Sequence, residues 1–97
     1  MDNREYLIVL YDYYQELLTP NQQEIFELYY FDNLSLSEIA NNLSKSRNAI
    51  HKSLKSITSK LSEYEDKLNL YQKYQQIEKL LANIDNQELK NNILKLL

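Results

Sequence analysis

Two short helices joined by a tight turn are predicted by residues 35–55, which read SLSEIANNLSKSRNAIHKSLK. Ser35 and Glu38 have the spacing of a capping box, in which each side chain satisfies a backbone N–H at the start of a helix. The turn is expected at residues 43–46, and Ser46 is the predicted N-cap of the following helix. Local signals alone therefore define where both helices begin.

The apolar residues of this stretch have the spacing of a helix-turn-helix motif. Such a motif needs a small residue in its first helix, where the second helix crosses closely, and branched apolar residues that hold the helices at a steep angle. Ala40 fits the small position. The other predicted packing residues are Ile39, Leu43, Ile50 and Leu54.

Helical periodicity continues before this motif, and strict alternation of apolar and polar residues is almost absent. A first helix is predicted from about Asp2 to Leu18. Thr19 and Gln22 form another capping box around a proline that suits the first helical position, so a second helix begins there. It is expected to end at residues 32–33, since Asn33 tolerates the left-handed conformation that glycine usually supplies.

The fourth helix is predicted to be long, because apolar residues recur at spacings of four and three from Ile50 to Tyr71. Asn69 is a candidate boundary before a fifth helix, and residues 85–88 resemble the start of a sixth. We therefore predict an all-α fold of about six helices in a single domain, residues 1–97. Within it, a helix-turn-helix unit spans residues 19–61 and a C-terminal helical extension spans residues 62–97.

The apolar seam of the long helix exceeds what the short third helix can cover. Other helices of the same chain can fold back over it, or a second copy can pair with it. We favour a homodimer built on the long helix and the C-terminal helices, because symmetry buries the patch that a small helical chain leaves exposed. The predicted dimer seam consists of Ile57, Leu61, Tyr64 and Leu68.

The composition excludes several classes of site. The chain has no glycine, so neither a G-x-G-x-x-G loop nor a P-loop can form. It has no cysteine and one histidine, His51, which excludes thiolate and multi-histidine metal sites. No residues are marked as a paired acid and base, so we predict a protein that is not an enzyme and binds neither metal nor cofactor. No apolar run approaches the roughly 18 residues of a membrane span and no signal peptide is recognisable, so a cytoplasmic protein without membrane insertion is expected.

The charge is distributed unevenly along the chain, although the net charge is only −3. Residues 1–44 hold eight acidic residues and one basic residue, whereas residues 45–60 hold five basic residues and no acidic one. Arginine and lysine neutralise phosphates, and arginine and asparagine also read base edges. The predicted nucleic-acid-binding residues are Lys45, Ser46, Arg47, Asn48, His51, Lys52 and Lys55. The alternative is a solvated basic face that balances an acidic bundle.

Nine tyrosines are the other unusual feature. One interpretation is that they stack on nucleic-acid bases. The other is that they belong to the core, because a tyrosine can bury its ring while its hydroxyl reaches water. We favour the core, since the tyrosines of the first two helices lie in the acidic segment at core-like spacing.

Two further stretches carry a resemblance to a known family. Residues 18–30, LTPNQQEIFELYY, and 34–40, LSLSEIA, are similar to region 4 of bacterial sigma factors. More closely, they resemble the YlxM-like family of small helix-turn-helix proteins, as do residues 61–68 and 70–71. The resemblance implies an all-helical bacterial cytoplasmic protein with a sigma-region-4-like DNA-binding unit, encoded beside the GTPase of the signal recognition particle. It maps the recognition helix onto residues 46–61.

Two positions of the turn depart from the usual motif. Ser44 stands where glycine or asparagine is common, and Lys45 stands where an apolar residue usually plugs the turn. We therefore expect a looser turn.

The resulting functional prediction is a DNA-binding regulatory protein that contacts double-stranded DNA and takes part in the signal recognition particle pathway. Two alternatives remain open. One is a protein-interaction adaptor, in which the motif is a scaffold and the acidic helices dock a partner protein. A component of the signal recognition particle is a candidate for this partner. The other is a protein that binds the RNA of that particle.

Overall fold

The computed structural model describes residues 3–97 and contains six α-helices and no strand within that range. The helices are α1 (Asn3–Tyr14), α2 (Pro20–Tyr30), α3 (Leu36–Leu43), α4 (Arg47–Leu68), α5 (Leu70–Leu81) and α6 (Gln87–Lys95). The predicted all-α fold of about six helices is confirmed. None of the helices in residues 3–97 combines the length and the apolar character needed to cross a membrane.

The predicted caps set the beginnings of the helices. Thr19 and Ser35 each form a complete capping box, and the Ser46 hydroxyl accepts a hydrogen bond from the Ala49 N–H at 3.1 Å. The predicted start of α6 is shifted by one residue from the box-like pattern, because Asn86 rather than Asp85 caps it.

The end of α1 differs from the prediction of one helix running to Leu18. The α-helix stops at Tyr14 and is followed by a 3₁₀ turn at Gln15–Leu17. The chain is then extended at Leu18 and at Thr19, the residue before Pro20, where helical geometry is disfavoured. The carbonyl of Gln15 accepts hydrogen bonds from the Leu18 N–H at 3.0 Å and from the Gln23 side chain at 2.7 Å, which ties this turn to α2. The predicted start at Asp2 lies outside the described residues.

The core is built around one face of α4, which contacts α1, α2 and α3. Ile50, Ile57 and Leu61 are completely buried, and Leu54 is nearly so. Facing them are apolar residues of the three preceding helices, among them Leu10, Tyr14, Ile25, Phe26 and Ile39. The predicted helical periodicity of α4 therefore corresponds to an internal core.

The tyrosines of α1 and α2 belong mainly to this core. Tyr11 and Tyr14 are buried, and Tyr11 stacks on Phe26 with ring centroids 4.2 Å apart. Tyr13, Tyr29 and Tyr30 are half-buried against the same cluster. The interpretation of these rings as core residues is confirmed for Tyr11 and Tyr14.

The predicted dimer seam needs correction. Ile57 and Leu61 expose no surface in the single chain, so they cannot contribute to a contact with a second copy. Tyr64 is half-buried and lies 5.9 Å from the Tyr14 ring, while Leu68 is 43% exposed. The periodicity of α4 does not by itself distinguish an interface from an internal core, because the sequence does not show that α1 and α2 fold back over α4. A homodimer stays a prediction, but Ile57 and Leu61 cannot form its surface.

The turn between α3 and α4 is closed by its backbone. The N–H of Lys45 donates to the carbonyl of Ala40 at 2.9 Å, and the N–H of Ser44 donates to that of Asn41 at 3.4 Å, which is a Schellman pattern. Ser44 adopts the left-handed conformation with φ 55°. The expectation that Lys45 loosens the turn is wrong, because these two backbone hydrogen bonds close the turn without an apolar plug. The Lys45 side chain is exposed.

A buried carboxylate fixes the junction between α4 and α5. Glu65 is 4% exposed and accepts hydrogen bonds from the Tyr14 hydroxyl at 2.6 Å and from the N–H groups of Tyr71 at 3.0 Å and Gln72 at 3.2 Å. The Tyr14 hydroxyl also accepts from the Leu70 N–H at 3.1 Å. Glu65 and Tyr14 together satisfy the first N–H groups of α5, which Asn69 does not cap. Burial, with the hydrogen bond to Glu65, raises the pKa of Tyr14 to about 12, so the hydroxyl keeps its proton at neutral pH.

The junction also marks where the chain changes direction. The predicted division between residues 61 and 62 falls inside α4, which continues to Leu68. Asn69 then adopts a left-handed conformation with φ 56°, and α5 begins directly after it. The structural break is therefore at Asn69, the boundary that the sequence also indicates.

We predict that Ser44→Gly stabilises the protein by about 0.5–1 kcal/mol, because an L-residue in the left-handed region is strained and glycine is not. The measurement is the midpoint of urea denaturation, which should rise. The slope of the free energy of unfolding against urea concentration should stay unchanged. Asn69→Gly is the matched control and should give a smaller gain, since asparagine tolerates this conformation better. Equal gains at both positions would contradict the explanation.

We predict that Glu65→Ala lowers the free energy of unfolding by about 2–3 kcal/mol, because it leaves the Tyr14 hydroxyl and two α5 N–H groups without their acceptor. Glu63→Ala is the control, since Glu63 lies two residues away, is exposed and pairs only with Lys67. It should leave the thermal midpoint nearly unchanged. Hydrogen exchange of the α5 amides should accelerate in Glu65→Ala alone, and equal protection in both variants would exclude this role of Glu65.

Candidate nucleic-acid interface

The helix-turn-helix unit is held together by the residues predicted to pack it. Ile39 and Ile50 are completely buried, Ala40 is 4% exposed and Leu54 is 7% exposed. Leu43 is half-buried at the edge of the same cluster. The short side chain of Ala40 lies between α3 and the crossing α4, as the motif requires. The unit therefore presents α4 with one face fixed in the core.

The predicted contact residues lie on the turn before α4 and on an arc of α4 next to the buried stripe. All are exposed, namely Lys45, Ser46, Arg47, Asn48, His51, Lys52 and Lys55. At about 100° per residue, the side chains from Arg47 to Lys55 share one arc of the helix, distinct from the buried stripe. The structure thus brings these residues together on one surface, which we call the basic face.

The beginning of α4 adds to the electrostatic character of the basic face. The first N–H groups of a helix lack intrahelical partners and carry partial positive charge, which favours an anion there. Arg47 is the first residue of α4. The Ser46 oxygen is occupied by the Ala49 N–H, but its hydroxyl proton is left to be donated. None of the lysines and arginines of the basic face pairs with a carboxylate of residues 3–97.

Two grooves border the basic face and involve residues of α2 that the sequence prediction did not include. One groove of about 170 Å³ is lined by Tyr29, Tyr30 and Leu36 and, on α4, by His51, Leu54, Lys55 and Thr58. The other, of about 370 Å³, is lined by Thr19, Asn21, Gln22 and Ile25 beside Lys52, Ser53 and Ser56.

These grooves extend the candidate surface onto α2. Tyrosine hydroxyls and amide side chains are donors to phosphates and bases. The adjacent tyrosines 29 and 30 are the sequence signal for this extension, although their spacing favours the core. The structure shows that both are half-buried and remain partly accessible beside His51.

An acidic cleft of about 440 Å³ lies between α1 and α2. Asp12, Glu27 and the half-exposed Phe31 are among its lining residues, together with Tyr11. The Tyr11 hydroxyl donates to Glu27, and burial together with this bond raises the pKa of Tyr11. None of the residues lining this cleft lines either groove of the basic face. Residues 3–97 contain no group of three side chains suited to hold a metal ion.

Comparison with known proteins places this architecture in a family. The family model described as "UPF0122: Putative helix-turn-helix protein, YlxM / p13 like" matches residues 1–97. A UPF0122 protein of Listeria welshimeri is 44% identical over 86 residues, which are 89% of this chain and 78% of the relative. One of Anoxybacillus flavithermus is 42% identical over 75 residues, 77% of this chain and 68% of the relative. One of Exiguobacterium sibiricum is 39% identical over 89 residues, 92% of this chain and 84% of the relative.

These matches agree with the resemblance seen in the sequence and with the packed helix-turn-helix unit. The family model extends over the C-terminal helices as well as over the motif. The chain therefore belongs to the UPF0122 family of YlxM/p13-like helix-turn-helix proteins.

Proposed function

We propose that the protein binds duplex DNA through the basic face, with α4 as the recognition helix. The observation that carries the proposal is the division of α4 into two sides. One side is locked in the core by Ile50 and Leu54, and the other exposes basic and amide side chains without a neighbouring carboxylate on residues 45–60. A rigid helix with this division can enter the major groove as a unit.

The residues of the basic face have different expected roles. Lys52 and Lys55 suit phosphates, because an ammonium group is a point charge without directional base recognition. Arg47 and Asn48 lie in the first turn of α4, where helix-turn-helix proteins read base edges, and their side chains can bond guanine and adenine in a bidentate manner. His51 and Tyr30 border the same groove and suit contacts at its edge.

A regulatory role in the signal recognition particle pathway is the finer part of this proposal, and the family resemblance is what supports it. The RNA of that particle is then the competing ligand for the same basic face. An A-form RNA duplex has a deep and narrow major groove that side chains cannot read. A helix-turn-helix that inserts α4 into a major groove should therefore prefer the DNA duplex, and the comparison of the two duplexes tests this.

A protein-binding adaptor is the second candidate, and the acidic cleft between α1 and α2 is the observation that favours it. The cleft combines the apolar surface of Phe31 with the carboxylates of Asp12 and Glu27, which suits a basic segment of a partner protein. In that case duplex DNA and RNA should both fail to bind at low salt.

We predict that Arg47→Ala and Lys52→Ala each weaken binding to duplex DNA about five- to tenfold. Each should also reduce the slope of log K against log salt by about one unit, because one phosphate contact releases about one counterion. The measurement is fluorescence anisotropy with a labelled duplex over a salt series, with unlabelled DNA and RNA duplexes as competitors.

Lys67→Ala is the matched control for this experiment. Lys67 is on the same helix but outside the basic face, and its charge is already offset by Glu63 at 2.8 Å. Its removal should leave affinity and salt slope unchanged. Equal effects of all three substitutions would indicate a general charge effect, and unchanged binding in Arg47→Ala and Lys52→Ala would exclude the basic face as the site.

A further inference from the structure

The C-terminal helices leave an apolar surface uncovered. Nine large apolar residues of the described chain are exposed, and seven of them are leucines between residues 68 and 97. The most exposed are Leu80, at 68%, and Leu96, at 86%. Isolated apolar residues on a surface are normal, but a concentration of this kind in a short segment marks an interaction site.

Helix α6 lacks the packing that a short helix needs. It has nine residues and none of them is buried, and α5 buries only Leu81. Helices shorter than about 12–15 residues are marginal in water unless tertiary packing of an apolar face stabilises them. Further burial of its leucines is therefore required for a stable α6.

Helix α5 and the end of the chain border an open, mainly apolar cleft, which also includes Tyr13 of α1. The start of α5 contributes Leu70, Tyr74 and Ile77 to this cleft of about 310 Å³, and the end of the chain contributes Leu96 and Leu97. A second contact region joins Tyr74, Glu78, Leu81 and Ala82 to Lys90 and Leu94 of α6. The start of α5 therefore lies near the end of the chain and the end of α5 lies near α6, so the two helices can supply half of a four-helix bundle.

The charges of this segment match a second copy of the same segment. The first turn of α6 carries Glu88, preceded by Asp85, and its last turn carries Lys95. Two α6 helices packed antiparallel across a two-fold axis bring the acidic start of each beside the basic end of the other, so the surface is complementary to itself. Residues 70–97 hold four lysines and three acidic residues, so a uniformly acidic or basic partner would face like charges.

We propose that a second copy of this chain covers the face formed by α5 and α6 and that the two pairs of helices form an intermolecular four-helix bundle. This interface replaces the α4 seam as the dimer surface. It lies at the end of α4 remote from Ser46, about 33 Å away along the 22 residues of the helix, so the basic face stays open in the dimer. The proposal does not depend on DNA binding.

Sedimentation velocity and light scattering of the full chain test the proposal over about 10–500 µM protein, because dimerisation follows mass action. The wild-type mass should rise from 11.7 kDa towards twice that value. Leu80→Glu and Leu96→Glu should each keep the mass at that of one chain, with helical circular dichroism retained because both residues are exposed. Hydrogen exchange of the wild-type α6 amides should slow as concentration rises, which needs no variant.

Leu17→Glu is the matched control, since Leu17 is an exposed leucine at 53% that lies outside α5 and α6. It should dimerise like the wild type. The proposal is contradicted by a wild-type mass of one chain at the highest concentration, by dimerisation of Leu80→Glu and Leu96→Glu, or by loss of the dimer in Leu17→Glu. Each of these outcomes leaves the DNA-binding experiment unaffected.

Discussion

The rest of the structure depends on the burial of one stripe of α4. Ile50, Leu54, Ile57 and Leu61 lie on this stripe, and three helices of the same chain pack on it. At about 25 cal/mol for each Å² of apolar surface removed from water, such a continuous stripe dominates the stability of a small domain. It also decides which side of α4 faces solvent, because rotating the helix would expose the isoleucines and bury lysines. The basic face is therefore a consequence of the core.

A chain without glycine must make its turns with other residues. Within residues 3–97, three positions adopt the left-handed conformation, namely Asn33, Ser44 and Asn69. Each is supported by additional contacts. The Arg4 guanidinium donates to the Asn33 side chain at 2.6 Å, the backbone closes the turn at Ser44, and Glu65 bonds the helix after Asn69. The turn before α4 is thus fixed by its own backbone, whereas Asn33 and the start of α5 are held by residues distant in the sequence.

Features encoded within a few residues could be predicted from the sequence. The caps at Thr19, Ser35 and Ser46, the helix count and the break at Asn69 all follow from local patterns, and so does the grouping of the basic side chains on one arc of α4. Features that require distant partners could not be predicted. Nothing in the sequence distinguishes Glu65 from the neighbouring acidic residues, since its burial depends on a tyrosine 51 positions away. The burial of Ile57 and Leu61 could not be predicted either, because their periodicity is equally typical of a dimer seam and of an internal core. The position of the α2 residues beside the basic face also depends on distant contacts.

The uneven charge distribution of the chain favours one orientation of the domain relative to DNA in the proposed complex. Residues 1–44 supply most of the apolar partners of α4, and the same segment carries eight acidic residues against one basic residue. An acidic surface is repelled by the phosphate backbone, whereas residues 45–60 attract it. Both effects act before contact over about one Debye length, roughly 8 Å at physiological salt. In the proposed complex, this charge distribution favours an approach with α4 towards the duplex, although the net charge of the protein is negative. This also explains why the net charge alone is a poor guide here, since the field that a duplex meets is set by where the charges lie.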